Sequence, residues 1–298
     1  MRERVEVLCS ETGASVRKVC SVLGISRSAV YRKQRPRKSK PRSEVPDEEV
    51  IPVLKELAGR YPTYGYRRLK VLVSRQLGRP VNGKRILRLM REEGLVTRKR
   101  TERARPRPHP RQVEVTGPNQ VWQMDFTKVM AGERWYWLLV VLDRFTREIV
   151  GWSLTRRGRA KEVLEVLDEA LEERFPGGVR GAGLKVASDN GSAFLAESVQ
   201  EYARELEVEL MRTRVRYPEG NGRCERVVRT IKEEEVWLNE YETFEEARRR
   251  IGEFIEFYNS QRIHSALGYI APRQYAALWR EGRLSPVCRG GTGREKAA

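Results

Sequence analysis

A chain of 298 residues, with 59 Lys or Arg against 41 Asp or Glu and a formal charge of +18, has room for two domains and calls for a polyanionic partner. It contains no apolar run of about 18 residues and no signal-like apolar stretch at its N-terminus, which argues against a membrane span and predicts a cytoplasmic protein. Cys9, Cys20, Cys224 and Cys288 show no paired spacing, and the only histidines are His109 and His264, so a disulfide framework and a structural zinc site are not expected.

The positive charge is confined to the first part of the chain. Residues 1–120 hold 30 basic against 12 acidic side chains, whereas the rest holds 29 of each. A basic module that meets nucleic acid, joined to a charge-balanced domain, accounts for this division; a uniform arginine bias does not.

In chain order, "SVRKVCSVLGISRSAVY" at 15–31 reads as two short helices about a Gly24-Ile25-Ser26 turn, with Val16, Val19, Cys20 and Leu23 on one stripe and Ser26 as N-cap. This is a helix-turn-helix pattern, and Arg17, Arg27 and Arg32 are its candidate DNA contacts; a protein-facing helical hairpin is the other reading. A basic, proline-punctuated linker follows. Three further helices are expected over 47–59, 65–77 and 82–93, the last opened by Asn82. Leu54, Leu57, Leu69, Leu72, Val73, Ile86, Leu87, Met90 and Leu95 would form their core, while Arg67, Arg68, Lys84 and Arg85 face outward as candidate DNA contacts. Residues 98–120 carry four prolines, with seven Lys or Arg between 98 and 111, and read as a second linker able to lie along phosphates.

From Val121 the hydrophobic period changes. "VWQMDFTKV", "RWYWLLVVLDRF" and "REIVGWSL" are expected strands, with "VMAGE" as the turn between the first two. A helix over 160–174, the strand "LKVASDNG", a helix over 195–206, the strand "VELMRTR" and helices over 222–238 and 243–258 complete a mixed sheet covered by helices, an α/β domain. Trp122, Trp135, Trp137 and Trp152 are expected in its core, and Asp143 as a turn acid.

Three carboxylates stand out. Asp125 ends "VWQMD", Asp189 follows "LKVAS", and Glu225 opens the helix after the next strand. Ligands gather at strand ends in such sheets. At 100° per residue, Val227, Ile231 and Leu238 share the sheet-facing side of that helix, while Arg229 and Lys232 flank Glu225. Arginine and lysine would grip DNA phosphates there, and the carboxylate calls for a cation. Three oxygen donors from separate elements suit Mg²⁺ or Mn²⁺, and two such ions can hold both the attacking and the leaving oxygen of an in-line displacement at phosphorus.

In their combination these stretches resemble the DDE transposases of bacterial insertion sequences, in particular the second-reading-frame transposases of the insertion sequence three family. "WQMDFT" resembles that family's first aspartate motif, "SDNGSAF" its second, and "YPEGNGRCERVVRTIK" its glutamate motif, at the thirty-five-residue gap. "FYNSQRIHSALGYIAPRQY" resembles its closing motif, and "YPTYGYRRLKVLV" through "RILRLMREEGLV" its upstream helical segment. Cys224 departs from the small alanine usual beside the glutamate.

The resemblance implies an RNase H-like, retroviral-integrase-like catalytic core preceded by small all-helical DNA-binding modules. Asp125, Asp189 and Glu225 would be its catalytic and metal-binding residues, with two Mg²⁺ or Mn²⁺ ions during catalysis. His264 would contact DNA or orient a helix end. The implied partners are double-stranded DNA, both the element's terminal repeats and the target, a homo-oligomer on DNA, and an upstream reading-frame product or fusion. The resulting layout is a helix-turn-helix-like module at 1–34, a linker at 35–46, a second helical module at 47–97, a linker at 98–120, the catalytic core at 121–276 and a flexible tail at 277–298. Two other classes stay open on the sequence: a nuclease of the same fold without strand transfer, and a decayed, end-binding repressor.

Overall fold

The computed structural model describes residues 2–31, 45–96, 115–212 and 222–284, and the chain divides into two compact units, Met1–Pro46 and Asp47–Ala298. In the first, α1 (Arg2–Thr12), α2 (Val16–Val22) and α3 (Arg27–Tyr31) close around Val5, Val19, Cys20 and Val30. Gly24 takes the left-handed conformation that ends α2, and the Ile25 amide returns to the Cys20 carbonyl at 3.0 Å. The helix-turn-helix pattern is therefore present, with a helix before it that the sequence did not announce. Val5 is fully buried and Leu8 and Cys9 partly so; a stripe this thin favours a helix only once α2 and α3 cover it. Leu23, expected on the inner stripe, instead faces solvent.

The second unit begins with α4 (Asp47–Arg60), α5 (Tyr66–Gln76) and α6 (Gly83–Glu92), packed through Val50, Leu54, Leu57, Leu69, Val73, Ile86, Leu89 and Met90. Asn82 caps α6 by accepting from the Lys84 amide at 2.9 Å. Leu72, Leu87 and Leu95, expected in the core, are only half-buried. The sheet follows: β1 (Val121–Ala131), β2 (Arg134–Asp143), β3 (Ile149–Thr155), β4 (Lys185–Ser188) and β5 (Glu209–Arg212), in the order β3-β2-β1-β4-β5. The first three strands form an antiparallel meander, and β4 and β5 run parallel to β1 and to each other.

Helices cover both faces. On one, α7 (Ala160–Arg174), α8 (Ser192–Leu195) and α9 (Glu197–Glu205) pack Val163, Val166, Leu167, Phe194 and Val199 against Trp122, Met124, Leu139 and Val141. On the other, α10 (Gly222–Glu234) and α11 (Phe244–Ser260) pack Cys224, Val227, Ile231, Ile251 and Tyr258 against Val129, Leu138, Val140 and Leu142. Alternate residues of β1 thus serve opposite cores. The last helix among the described residues is α12 (Pro272–Arg280), whose Trp279 meets Phe145 at 4.8 Å, so helix continues past the boundary placed at 276.

Several expectations shift. β1 continues through Met130 and Ala131, leaving only Gly132 and Glu133 for the hairpin turn, with Gly132 at positive φ. The helix expected over 195–206 is split at Ala196 into α8 and α9. The helix expected over 222–238 stops at Glu234 because Asn239 takes the Glu235 carbonyl at 2.7 Å and a 3-10 turn follows, which leaves Leu238 exposed. Trp122 is fully buried, but Trp135, near the end of the β1–β2 hairpin, is exposed. Asp143 accepts from the amides of Asn119, Phe145 and Thr146 at 2.6, 2.7 and 2.9 Å, a buried turn acid as read. No helix of the described residues is long and apolar enough to cross a membrane.

The packing of β3 on α7 is tight enough to test. A Cβ added at Gly151 would lie 2.9 Å from a Val166 methyl and 3.2 Å from the Ala170 methyl. Gly151→Ala is expected to lose about 1–3 kcal/mol of stability in denaturant unfolding. An unchanged midpoint would mean that α7 yields at no cost.

Candidate active site

The first two acids are brought together by strand register. β1 and β4 are adjacent and parallel, with Gln123 paired to Ala187. Carried two residues further, the same register sets Asp125 against Asp189, one residue beyond the end of β4. Neighbouring strands lie roughly 4.8 Å apart, and residues two apart share a face, so both carboxylates emerge on the same side. The Asp189 side chain is also fixed locally: it accepts the Gly191 amide at 2.9 Å, and a Cβ at Gly191 would lie 3.0 Å from that oxygen. Glycine at 191 is what lets the Asp189 loop fold this closely around its own side chain.

The third acid is carried over them by α10. Asp125 stands opposite Val140 on β2, and the Cys224 thiol, fully buried, reaches the Val140 carbonyl at 3.8 Å. The cysteine side chain is therefore packed directly against the sheet. Its neighbour Glu225 lies in the first turn of α10, where free backbone amides favour a negative charge. Val227, Val228 and Ile231 face the sheet as their spacing requires.

Asp125 and Glu225 both respond to the charge of Asp189, and Asp125 also to that of Glu225. Asp125 is pushed up to about 7, first by burial and then by the charges of Asp189 and Glu225, against which the Phe126 amide and Lys232 pull it down. Glu225 is exposed as a residue, yet its carboxyl is raised by the protein beside it and by Asp189. Cys224 is held as a neutral thiol, well above its ordinary value, by burial and by Asp125 and Glu225. The site thus concentrates negative charge faster than Lys232 relieves it. Among the described residues, no group of three His, Cys, Asp or Glu side chains is gathered tightly enough to hold an ion in the present conformation. The donor chemistry, all carboxylate oxygen, suits a hard divalent cation.

The other residues singled out from the sequence are dispersed. Arg17 and Arg27 are exposed on the first unit, and Arg32 lies outside the described residues. Lys84 is exposed, and Arg67 is exposed beside the Tyr66 hydroxyl at 3.3 Å. Arg85 is committed to Asp47, and Arg68 turns inward onto Glu234 at 3.4 Å. On α10, Arg229 pairs with Glu233 at 2.7 Å, while the charge of Lys232 reaches Asp125. His264 is half-buried against the Tyr258 ring at 4.8 Å, beside Arg262, and is held neutral by burial and by Arg262, Arg68 and Arg147. Glu234 and Arg262, which form a bidentate pair at 2.6 and 2.7 Å, were not singled out; nothing in the acidic run 233–235 distinguishes its middle member.

The chain resembles known proteins along most of its length. Residues 115–218 and 206–272 match family models described as integrase core domain, and residues 46–103 match one described as HTH-like domain. The chain is 35% identical over 237 residues to the transposase InsD of insertion element IS2A/D/F/H/I/K of Escherichia coli, covering 77% of this chain and 78% of that protein. The InsD transposase of element IS2-9 of Escherichia coli strain K12 matches at the same identity, over 77% of each chain. Among solved structures, the integrase catalytic core of HTLV-2 in complex with magnesium overlaps at 19% identity and a TM-score of 0.42, covering 54% of this chain and 97% of that one. An acid pair set by strand register, a third acid on the covering helix, an HTH-like segment ahead of them and a relative matched over most of its length lead to one assignment: the chain belongs to the DDE transposases of bacterial insertion sequences, in the insertion sequence three family.

Proposed function

We propose that Asp125, Asp189 and Glu225 are the acidic triad with which this transposase hydrolyses a phosphodiester at the ends of its element and then joins the freed 3′-hydroxyl to target DNA. The observation that supports this reading is that Asp125 on β1 responds to the charges of Asp189, in the loop after β4, and Glu225 on α10, and that Glu225 responds to Asp189. The three carboxylates would hold one or two divalent cations of Mg²⁺ or Mn²⁺ type, which when bound stabilise the attacking and leaving oxygens of an in-line displacement.

The chain's own residues supply the frame. The β1–β4 register fixes the two aspartates relative to each other, the Gly191 amide holds Asp189, and the buried Cys224 seats Glu225 against β2. Lys232 leaves positive charge beside Asp125, where a phosphate of bound DNA would otherwise meet only anions. Double-stranded DNA is the partner this arrangement serves. Exposed Arg17, Arg27, Arg67 and Lys84 on the helical modules are the side chains proposed to meet its backbone. Assembly of several copies on DNA, and the contribution of an upstream reading-frame product, belong to the same proposal.

The test is an in-vitro reaction on labelled DNA carrying the element's own ends, with Mg²⁺ and then Mn²⁺, resolving nicked from joined products and run with and without the upstream product. Joined products are expected. Nicks without joining would convert the reading to a nuclease, and end binding with neither product would convert it to a repressor.

A further inference from the structure

The helical module of α4–α6 touches the catalytic core, and one of these contacts bears on the helix that carries Glu225. Glu234 is the last residue of α10, nine positions after Glu225. At 1.5 Å per residue the two ends of this span are about 13 Å apart along one helix. Arg262, two residues past the end of α11, grips both oxygens of Glu234, and Arg68 of α5 reaches the same carboxylate at 3.4 Å. The side chains of Arg262 and Glu234 are only 2% and 10% exposed, and that of Arg68 23%. Arg68 lies over the buried Tyr64 ring at 4.9 Å, and Tyr61 stacks on Phe257 of α11 at 6.0 Å. A third anchor is Arg75, which donates to the Tyr269 carbonyl at 2.6 Å.

Three anchors on α10, on α11 and on the loop before α12 hold the module against rotation about any one of them. A buried ion cluster is a weak way to gain stability, because desolvation offsets most of the attraction; what it provides is a defined geometry. Arg262 alone already satisfies Glu234, so the Arg68 bond is spare for folding the core. Its effect is to tie the module to the far end of the Glu225 helix.

We propose that Arg68, Glu234 and Arg262 form a latch that fixes the distance between the DNA-contacting helical module and the three-acid site, making Arg68 and Glu234 positioning residues that determine where a bound DNA end is cut. The latch rests on the triad reading above. Because both ends of α10 are held, one by Cys224 against the sheet and the other by the latch, the interval from recognised sequence to reacting phosphate is set by a rigid helix rather than by a linker.

The experiment uses the full chain and a labelled duplex bearing the element's own end, with cut positions mapped to the nucleotide. Arg68→Met keeps the aliphatic stem and leaves the Arg262–Glu234 pair intact. It should spread the cut from one position over several neighbours, while end binding falls by no more than about twofold, because Arg68 faces Glu234 rather than the DNA. Arg68→Lys should return most of the product to the parental position. Arg75→Met, which loosens a different anchor, should broaden the cut in the same way and serves if the first variant does not fold. Parental cut positions in both methionine variants would overturn the latch, as would a tenfold or greater loss of end binding in folded Arg68→Met protein, which would make Arg68 a DNA contact. Glu225→Gln, run alongside, separates the two readings: a parental cut pattern in the latch variants with an inactive Glu225→Gln defeats only the latch, whereas an active Glu225→Gln defeats the triad.

Discussion

Glu225→Gln is expected to reduce both cleavage and joining by on the order of a thousandfold while leaving end binding nearly unchanged. Glutamine keeps the length and the helix position but removes the negative charge, and losing one anionic oxygen ligand to a cation that stabilises a displacement costs several kcal/mol of transition-state stabilisation. About 4 kcal/mol corresponds to roughly a thousandfold in rate. Binding should survive because Glu225 adds negative charge to a surface that meets a polyanion, and because the proposed contacts on the helical modules are untouched. The measurement is product yield on labelled element ends beside a mobility-shift titration. Strand transfer at the parental rate would remove Glu225 from the chemistry; equal losses of binding and transfer would indicate a disordered α10 rather than a missing charge.

Asp125→Asn is expected to abolish the same reaction and yet stabilise the metal-free fold at alkaline pH. In the folded chain the Asp125 carboxyl titrates near 7 rather than near its ordinary 3.8, because it is buried and faces Asp189 and Glu225. Well below pH 3.8 it is protonated in both folded and unfolded chains and costs nothing. As pH rises towards 7 the unfolded chain gives up this proton while the folded chain keeps it, so stability falls over that window and then levels off. The full difference is on the order of 4 kcal/mol, an upper bound for a group that retains some solvent contact. Asparagine removes the charge, so in a chelator at pH 8 the variant should melt several degrees above the parent, with the gap narrowing towards pH 4. Adding Mg²⁺ should raise the parent's midpoint and leave the variant's almost unmoved. Identical melting of the two proteins in chelator at pH 8 would contradict the charge crowding described here.

Much of the candidate site was legible in the sequence because its logic is local. Alternation placed Asp125 on a strand, a turn signature placed Asp189 just after one, and helical spacing put Val227 and Ile231 against the sheet with Glu225 on another side. The family resemblance rested on the same short motifs, and the matched relatives agree with it. What periodicity could not supply was the neighbour of each strand. That β4 lies beside β1, parallel and in the register that levels Asp125 with Asp189, depends on how the chain crosses over α7, and no local pattern encodes it.

Charge shows the converse limit. The sequence determined where arginines lie along α5, α6 and α10, and their density made DNA the expected partner. Only the tertiary structure decided which of them keep an open charge: Arg67 and Lys84 remain on the surface, while Arg68 and Arg85 turn onto Glu234 and Asp47. The same holds for Trp135 and Leu238, apolar by composition but exposed because the β1–β2 hairpin extends to a two-residue turn and α10 stops at Glu234. A side chain's type fixes what it can pair with, but its partner is fixed by what the rest of the chain brings within a few ångströms.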